Sequence, residues 1–366
     1  MRRAVHPLAA VVLVGASLLS VLDPGLAAAG RRDCGTVAGP EQVELERRVF
    51  KSLDLGKIPS FTKTPVRIPI KVHIVRNSQG GGGLSTTALD SAFHYLNQQF
   101  VQAGMRFHQW SDIHYIDNDI YYNNVDEFDL YDILRQESPA SGVINVYFTQ
   151  DDSLCGQSSF PLSGPQGIIM NNDCAGSSGN PSTFAHEVGH YFNLYHTHET
   201  VFGAECPSGS NCATAGDQVC DTPADPDLSD NVATGTCAYT GPQFALPGCD
   251  STPYSPSTVN LMSYSLKECR DTFTVDQQTR MWTALLAFRP ELFDRVHYVD
   301  SNAVGSADNG TPAQPYLTVA KALINFQSGD KIVIAGGNYA ETPLLDVQME
   351  LDRWDLDAPG EVIVGQ

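Results

Sequence analysis

The sequence predicts an α+β fold, with strands and helices in its first half, an irregular cysteine-rich region after them, and a further helix. Apolar and polar side chains alternate where strands are predicted, and apolar residues recur at helical spacing between them. Residues 197–258 have neither periodicity, and six cysteines in or just beyond them could hold this region together. The predicted strands are residues 65–76 (with Pro69 at an edge or a bulge), 106–116, 142–148 and 167–170, and the predicted helices are residues 41–53, 85–101, 182–195 and 274–286.

Composition limits the classes of partner. The chain has 366 residues, 42% of them hydrophobic, which is enough for one large core or a core with a small appendage. Asp and Glu number 42 against 22 Lys and Arg, a net charge of −20. An excess of this sign repels nucleic acid and anionic lipid, so neither is expected as a partner of the mature form. It favours cations in acidic loops, although most of these carboxylates are expected to be solvated.

The N-terminus has the features of a secretory signal peptide over residues 1–29. Arg2 and Arg3 precede an apolar stretch at residues 8–22, and Ala27 begins a small-residue cleavage site. A signal anchor is the alternative, but the apolar stretch is short for a membrane span. The chain is therefore expected to be secreted, into a compartment where disulfides persist.

The strongest local signal is a pair of histidines four residues apart, His186 and His190, with Glu187 beside the first. Residues four apart lie on one face of an α-helix, so both imidazoles can point at one ion. Glu187 is placed to take a proton from a metal-activated water and pass it to the leaving amine. Three nitrogen ligands would leave one position open, as in catalytic zinc sites. A buried helix that carries this pattern by accident is the alternative.

His196, six residues after His190, is the expected third ligand if the chain turns sharply after the helix. In the long motif H-E-x-x-H-x-x-G-x-x-H the turning residue is glycine, because the turn needs a positive φ. Asn193 stands here, and asparagine is the next most tolerant of the left-handed region. His198 has no place in this motif and is expected at the surface or beside the ligands.

A second segment, Asn-Leu-Met-Ser-Tyr at residues 260–264, lies downstream. With the zinc motif, Cys-Asp-Thr-Pro at 220–223 and Phe-Thr-Val-Asp-Gln-Gln-Thr-Arg-Met at 273–281, roughly residues 66–292 resemble the metzincins and, within them, the pappalysin (ulilysin-like) family. The resemblance implies a twisted mixed sheet with an active-site helix and a backing helix, over an irregular, disulfide-stapled lower subdomain with a C-terminal helix. Substrate would pair with the edge strand of the sheet, for which residues 167–170 are the candidate.

The resemblance also implies roles for three residues near the zinc. Met262 would form a hydrophobic base under the site, and Tyr264 would supply a phenol that stabilises the oxyanion. Glu268 would lie at the floor of the pocket for the residue after the cut and pair with Arg or Lys. Plain core residues, in the first two cases, and a surface acid, in the third, are the alternatives.

Cys34 stands apart from the other eight cysteines, in a presumed prosegment of residues 30–60. Its thiolate could fill the open zinc position and keep the enzyme latent, which resembles the cysteine switch of other metzincins, and Gly35 would let the backbone come close. A ninth disulfide partner and a lipid-anchor cysteine are the alternatives. For the rest, order and spacing matched to the family suggest Cys220–Cys249 and Cys237–Cys269, which leaves Cys155–Cys174 and Cys206–Cys212.

The acidic loop, residues 217–227, offers hard oxygen donors of the kind that calcium prefers. Relatives in the family bind calcium near this place, so the resemblance implies a calcium site at Asp221, Thr222 and Asp225. Solvated acids would look the same in the sequence.

The sequence changes character at residue 297, which separates a catalytic part (61–296) from a small β-rich extension (297–366). The extension resembles the opening of a right-handed parallel β-helix, although one or two coils cannot bury a continuous core. A remnant packed on the protease, the product of a truncated gene and a processing tail are the alternatives, and none is assigned catalysis.

These features predict a secreted zinc endopeptidase that hydrolyses internal peptide bonds of proteins, is made as a latent zymogen and prefers Arg or Lys after the scissile bond. Zinc and calcium are the expected cofactors, and protein or peptide substrates are the expected partners. The first alternative is an adhesive or carbohydrate-binding secreted protein in which the protease serves processing. The second is an inactive zincin used as a binding module, against which the presence of Glu187 argues.

Overall fold

A computed structural model describes most of the chain, namely residues 34–39, 43–44, 48–49, 65–123, 128–150, 153–243, 248–249, 251–344, 349–354 and 362–364. The predicted signal peptide and most of the predicted helix at 41–53 lie outside these residues. Within the described part of the chain, no helix combines the length and the apolar character needed to cross a membrane.

A six-stranded mixed sheet is the centre of the fold. Its strands are β1 (Val66–Arg76), β2 (Met105–Gln109), β3 (His114–Asp117), β4 (Ile144–Thr149), β5 (Gly156–Ser158) and β6 (Ile168–Asn171). The order is β2-β1-β4-β6-β5, and β3 pairs with the second half of β1. Every pair is parallel except β5 with β6. The long apolar run of β1 is buried along nearly its whole length, as a strand covered on both faces requires.

Helices pack on this sheet. They are α1 (Thr86–Phe100), α2 (Asp119–Asn123), α3 (Phe128–Leu134), α4 (Thr183–Tyr191) and α5 (Val275–Phe288). Ser85 caps α1 by accepting the Ala88 N–H, and Thr274 and Gln277 form a capping box at the start of α5. Apolar side chains of α1, α4 and α5 join those of the sheet in one main core. The fold is therefore α+β, as the sequence predicted.

Two strand predictions differ from the structure. The predicted strand at residues 106–116 is two strands, because Ser111 between them has a φ of +59°, which no extended strand accommodates. Pro69 was expected at an edge or a bulge, yet β1 has neighbours on both sides. Pairing with β4 begins only at Ile70, so a strand lies beside Pro69 on one side alone. The missing N–H is accommodated in this way.

Four disulfides tie the irregular region and the strand edge. Cys155–Cys174 and Cys237–Cys269 are bonded, in agreement with the expected pairs. The other two expected pairs, Cys220–Cys249 and Cys206–Cys212, are wrong: the bonds are Cys206–Cys249 and Cys212–Cys220. The turn after Cys212 brings Cys220 to a Cα–Cα distance of 5.0 Å, within disulfide range, and leaves Cys206 for Cys249. Such a turn has no signal in cysteine spacing.

The extension shares the main core. Its elements are β7 (Val296–Val299), α6 (Val319–Asn325), β8 (Lys331–Ile334), β9 (Gly337–Tyr339), β10 (Glu350–Arg353) and β11 (Val362–Val364), with parallel pairing throughout. Tyr298 and Trp354 are buried in the core that the sheet builds. The Tyr298 hydroxyl accepts the Arg67 N–H of β1 at 2.7 Å. The buried Arg67 guanidinium donates from Nε to Asp352 at 2.8 Å.

Candidate metal centre and cleft

The active-site helix α4 brings two histidines together, and the turn after it brings the third. His186 and His190 lie one turn apart on α4, which ends one residue after His190. Asn193 then has a φ of +69°, the left-handed conformation that the motif requires. Arg280 of α5 donates from Nε to the Asn193 carbonyl oxygen at 2.8 Å and so holds this turn. His196 follows, and its ring returns to the first two.

The three histidines point their Nε2 atoms at one another. The distances are 3.0 Å for His190–His196, 3.1 Å for His186–His190 and 3.2 Å for His186–His196. Nδ1 of His186 bonds the Leu261 carbonyl oxygen, and Nδ1 of His190 that of Leu194, both at 2.7 Å. These Nδ1 atoms therefore carry the proton, and the lone pairs on Nε2 converge. Ligands about 2.0–2.1 Å from a tetrahedral zinc would lie about 3.4 Å apart, so this donor set fits zinc.

Burial keeps the three imidazoles neutral. It lowers the pKa of His190 to about 3 and the pKa values of His186 and His196 well below the usual range. Neighbouring imidazoles lower the pKa values of His186 and His196 further. Neutral imidazole is the form that binds a metal, so the site needs no proton loss from these rings.

Glu187 lies fully buried between the histidines and the strand β5. A Cβ atom on Gly156 would come within 2.7 Å of Glu187 Cγ, so only glycine leaves room here. Burial raises the pKa of Glu187 to about 8. Its Oε2 accepts a hydrogen bond from the Thr36 hydroxyl at 3.1 Å. A carboxyl group with a raised pKa can hold a proton near neutral pH, as a general base must. No local pattern in the sequence indicates this role of Gly156.

Met262 lies beneath α4 and is fully buried. A Cβ atom on Gly189 would come within 2.5 Å of Met262 Sδ, so the glycine between the two motif histidines lets the helix rest on the methionine. The Met262 carbonyl oxygen accepts the Thr197 N–H at 3.2 Å, and its own N–H donates to the Asn260 side chain at 2.8 Å. Hydrogen bonds with Thr197 and Asn260 thus hold Met262 beneath α4.

Tyr264 borders the site on the side of the third histidine. Its ring centroid lies 4.7 Å from that of His196, and its hydroxyl donates to the Cys34 carbonyl oxygen at 3.2 Å. His198 stacks on His196 at 4.9 Å and also contacts the Tyr264 ring. His198 therefore lies beside the ligands, one of the two positions expected for it.

Cys34 reaches the histidines from the other end of the chain. Its Sγ lies 3.5 Å from His190 Nε2, and the four ligand atoms of Cys34 and the three histidines all lie within 4.8 Å of one another. The Thr36 N–H donates to Sγ at 3.2 Å. A Cβ atom on Gly35 would lie 2.5 Å from Leu154 Cδ1, so glycine allows this close approach. In the described part of the chain, every other cysteine is in a disulfide.

The comparison with known families agrees with this geometry. Residues 114–286, which include the three histidines, Glu187 and Met262, match the family model described as Pregnancy-associated plasma protein-A. Residues 114–286 are a pappalysin-family peptidase domain. The protein is accordingly a metalloendopeptidase, and its family implies a catalytic zinc.

Curated relatives that this chain matches are extracellular enzymes by name. The chain is 29% identical to an extracellular metalloprotease of Colletotrichum graminicola, over 74% of this chain and 97% of that protein. It is 27% identical to extracellular metalloprotease 1 of Coccidioides posadasii, over 71% and 91% respectively. A solved structure of mature mirolysin from Tannerella forsythia, in complex with a cleaved peptide, is 19% identical with a TM-score of 0.46, covering 64% of this chain and 96% of that one. The names of the relatives support secretion.

The edge strand beside the three histidines is β5, so the prediction that residues 167–170 form the edge was wrong. Those residues form β6, which is paired on both sides by β4 and β5. β5 is short and contains glycine and serine, which do not predict a strand. The Gly156 carbonyl oxygen on β5 accepts the Gly35 N–H at 2.9 Å.

The side chains predicted to bind calcium are not gathered around one point. The Asp221 carboxylate accepts the Asp276 N–H at 2.9 Å, at the start of α5. Asp225 instead accepts the Thr197 hydroxyl, and Thr222 donates its hydroxyl within the loop. Over the described residues, the zinc site is the one group of three or more His, Cys, Asp or Glu side chains close enough to share an ion. The set Asp221, Thr222 and Asp225 is therefore not assembled, because hydrogen bonds within the protein use these groups.

Proposed function

We propose that this metalloendopeptidase cleaves internal peptide bonds of extracellular proteins, with His186, His190 and His196 as the zinc ligands. The convergence of their three Nε2 atoms within 3.2 Å of one another carries the proposal. Zinc, when bound, supplies a Lewis acid and lowers the pKa of a water. Glu187 takes the proton and delivers it to the leaving nitrogen, and the Tyr264 phenol donates a hydrogen bond to the developing oxyanion.

The edge of β5 is the proposed support for the substrate backbone. The Gly156 carbonyl oxygen lies on this edge, beside Glu187, and is an acceptor for an extended peptide. An added strand would hold the scissile bond beside the carboxylate, which makes the reaction effectively intramolecular.

Metal removal tests the peptidase directly. Casein digestion by the activated protein is expected to stop when a zinc chelator is added and to return when zinc is added. The reason is that the three histidines do not activate a water without the metal. The measurement is the release of acid-soluble peptides, with zinc content followed by mass spectrometry. Undiminished digestion by protein that holds no zinc would contradict the assignment.

We also propose that the chain is made latent, with Cys34 of the prosegment as a fourth zinc ligand. Cys34 Sγ lies 3.5 Å from His190 Nε2, close to the roughly 3.5 Å that separates a sulfur and a nitrogen ligand of one tetrahedral zinc. Thiolate sulfur at the open position excludes the water that the reaction needs.

The intact Cys34→Ala variant is expected to cleave a quenched fluorescent peptide without processing, whereas the intact parent does not. Val37→Ala, at an exposed position of the same segment, is the control and should stay latent. Mass spectrometry confirms that each chain is uncleaved. Equal latency of Cys34→Ala and the parent would count against the role of Cys34.

Calcium binding stays a prediction for the acidic loop. Asp217 is a buried carboxyl group of this loop, and burial raises its pKa to about 8. The nearby Glu205 is also buried, and burial raises its pKa to about 7. Its Oε1 has no hydrogen-bond partner among the described residues. A calcium-selective chelator should lower the melting temperature, and an unchanged temperature would remove calcium from the proposal.

The preference for Arg or Lys after the cut also stays a prediction. Glu268 is exposed and precedes Cys269, which is bonded to Cys237. A carboxylate in such a position can pair with a cationic side chain. Cleavage of a peptide library with Glu268→Gln against the parent checks it, and a parent with no basic preference would reject it.

A further inference from the structure

Thr36 makes a contact with the active site that is separate from that of Cys34. Its hydroxyl donates to Glu187 Oε2 at 3.1 Å and accepts the Ser158 N–H of β5 at 2.8 Å. The residue is only 4% exposed. The hydroxyl therefore bridges the catalytic carboxylate and the backbone edge on which substrate is proposed to lie.

The backbone around Thr36 is fixed on the same edge. The Gly35 N–H donates to the Gly156 carbonyl oxygen at 2.9 Å, and the Gln157 side chain donates to the Gly35 carbonyl oxygen at 3.3 Å. A Cβ atom at Gly35 would displace the side chain of the buried Leu154. These contacts hold the Thr36 hydroxyl at Glu187 by several bonds that do not involve the zinc ligands.

We propose that Thr36 is a second latency contact, which occupies the general base Glu187 while Cys34 occupies the metal. This inference rests on the proposed latency of the chain and adds a separate site of control to it. A hydrogen bond from a hydroxyl to the ionised form of Glu187, which is the form that acts as a base, is charge-assisted and stronger than one between neutral groups. While it is made, Oε2 of Glu187 is not available to accept a proton from water, and the edge of β5 is not available to a substrate.

The thiol of Cys34 gives a readout that does not depend on activity. It is the one cysteine of the described chain outside a disulfide, and it is buried. Iodoacetamide can reach it only when the segment leaves the site. The rate of alkylation of the intact full-length protein therefore measures how often the segment opens.

Thr36→Val removes the hydroxyl and nearly keeps the shape, whereas Thr36→Ser keeps the hydroxyl. We expect Thr36→Val to raise the alkylation rate roughly 10- to 100-fold, the range for loss of a hydrogen bond to a charged group. Thr36→Ser and the exposed-site control Val37→Ala should stay within about threefold of the parent. Metal-free protein should show the same order, because the contact does not pass through zinc.

A double-mutant cycle tests whether the effect of Thr36 depends on Glu187. In a Glu187→Ala background, which also prevents self-cleavage, Thr36→Val should cause a clearly smaller acceleration than in the parent, because only the hydrogen bond from the Ser158 N–H remains to be lost. A full, additive effect there would overturn the proposal, and so would equal rates for Thr36→Val and Thr36→Ser. If Thr36→Val unfolds the protein, Thr36→Ala, which only removes atoms, must give the acceleration instead.

The two proposals fail in different ways. If Cys34→Ala is active without processing while Thr36→Val leaves the alkylation rate unchanged, the Thr36 contact is refuted and the latency of the chain stands. If Cys34→Ala stays latent, the role of Cys34 is refuted whatever the alkylation rates are. Acceleration by Thr36→Val that is clearly smaller in the Glu187→Ala background supports the second contact.

Discussion

Replacing Glu187 by alanine is expected to lower kcat/KM for peptide hydrolysis roughly 10²- to 10⁴-fold without loss of zinc, the range for removal of a general base. The carboxylate is buried beside β5 and has no part in holding the histidines. His186 and His190 are oriented by carbonyl oxygens, which the substitution leaves in place. Zinc content and kcat/KM, measured on the same activated sample, separate the two effects.

Glu187→Gln sharpens this prediction. It keeps the size and the capacity to accept a hydrogen bond but cannot hold the transferred proton, so it should be as inactive as Glu187→Ala. Asp90→Asn is the control. It removes one negative charge from an exposed position on α1, far from Glu187 in the sequence, and should leave kcat/KM unchanged. Substantial activity of zinc-loaded Glu187→Gln would mean that another group moves the proton.

Trp354→Ala is expected to lower the free energy of unfolding of the whole protein by about 3–5 kcal/mol, the usual cost of truncating a buried tryptophan. Trp354 is 3% exposed, and its ring centroid lies 4.9 Å from that of Tyr298 within the main core. Leu344→Ala, at a position of the extension that is 78% exposed, is the control and should change stability by less than about 0.5 kcal/mol.

The same experiment tests whether the extension is part of the peptidase. Urea unfolding followed by tryptophan fluorescence and by loss of peptidase activity should give one coincident transition, displaced to lower urea in Trp354→Ala. The reason is that Tyr298 and Trp354 share a core with β1. Two separate transitions, with activity surviving the first, would show that the extension unfolds alone.

Features of the site that depend on local spacing could be predicted from the sequence. His186 and His190 follow from the helical repeat, and the positive φ at Asn193 follows from the need to return His196 to them. The role expected of Cys34 followed from its separation in the sequence from the other eight cysteines. That argument rests on the count of cysteines and not on geometry.

Features that depend on distant pairing could not be predicted in this way. β5 is three residues long and becomes a strand only because β6 offers it a partner. The Cys206–Cys249 bond depends on the path of an irregular loop. Thr36 has no signal of its own, since a threonine after Cys-Gly shows its role only when β5 and Glu187 are assembled around it.

The bond between Arg67 and Asp352 also constrains when β1 can finish folding during synthesis of the chain. The two residues are 285 positions apart, so the partner of Arg67 leaves the ribosome long after Arg67 itself. Until then a guanidinium destined for burial has no counterion, and β1 cannot complete its packing at this end. Packing at this end of β1 must therefore wait until Asp352 has been synthesised, and such long-range closure is slow. Until that closure is made, β1, which lies inside the sheet that shares a core with the active-site helix, is not complete at this end.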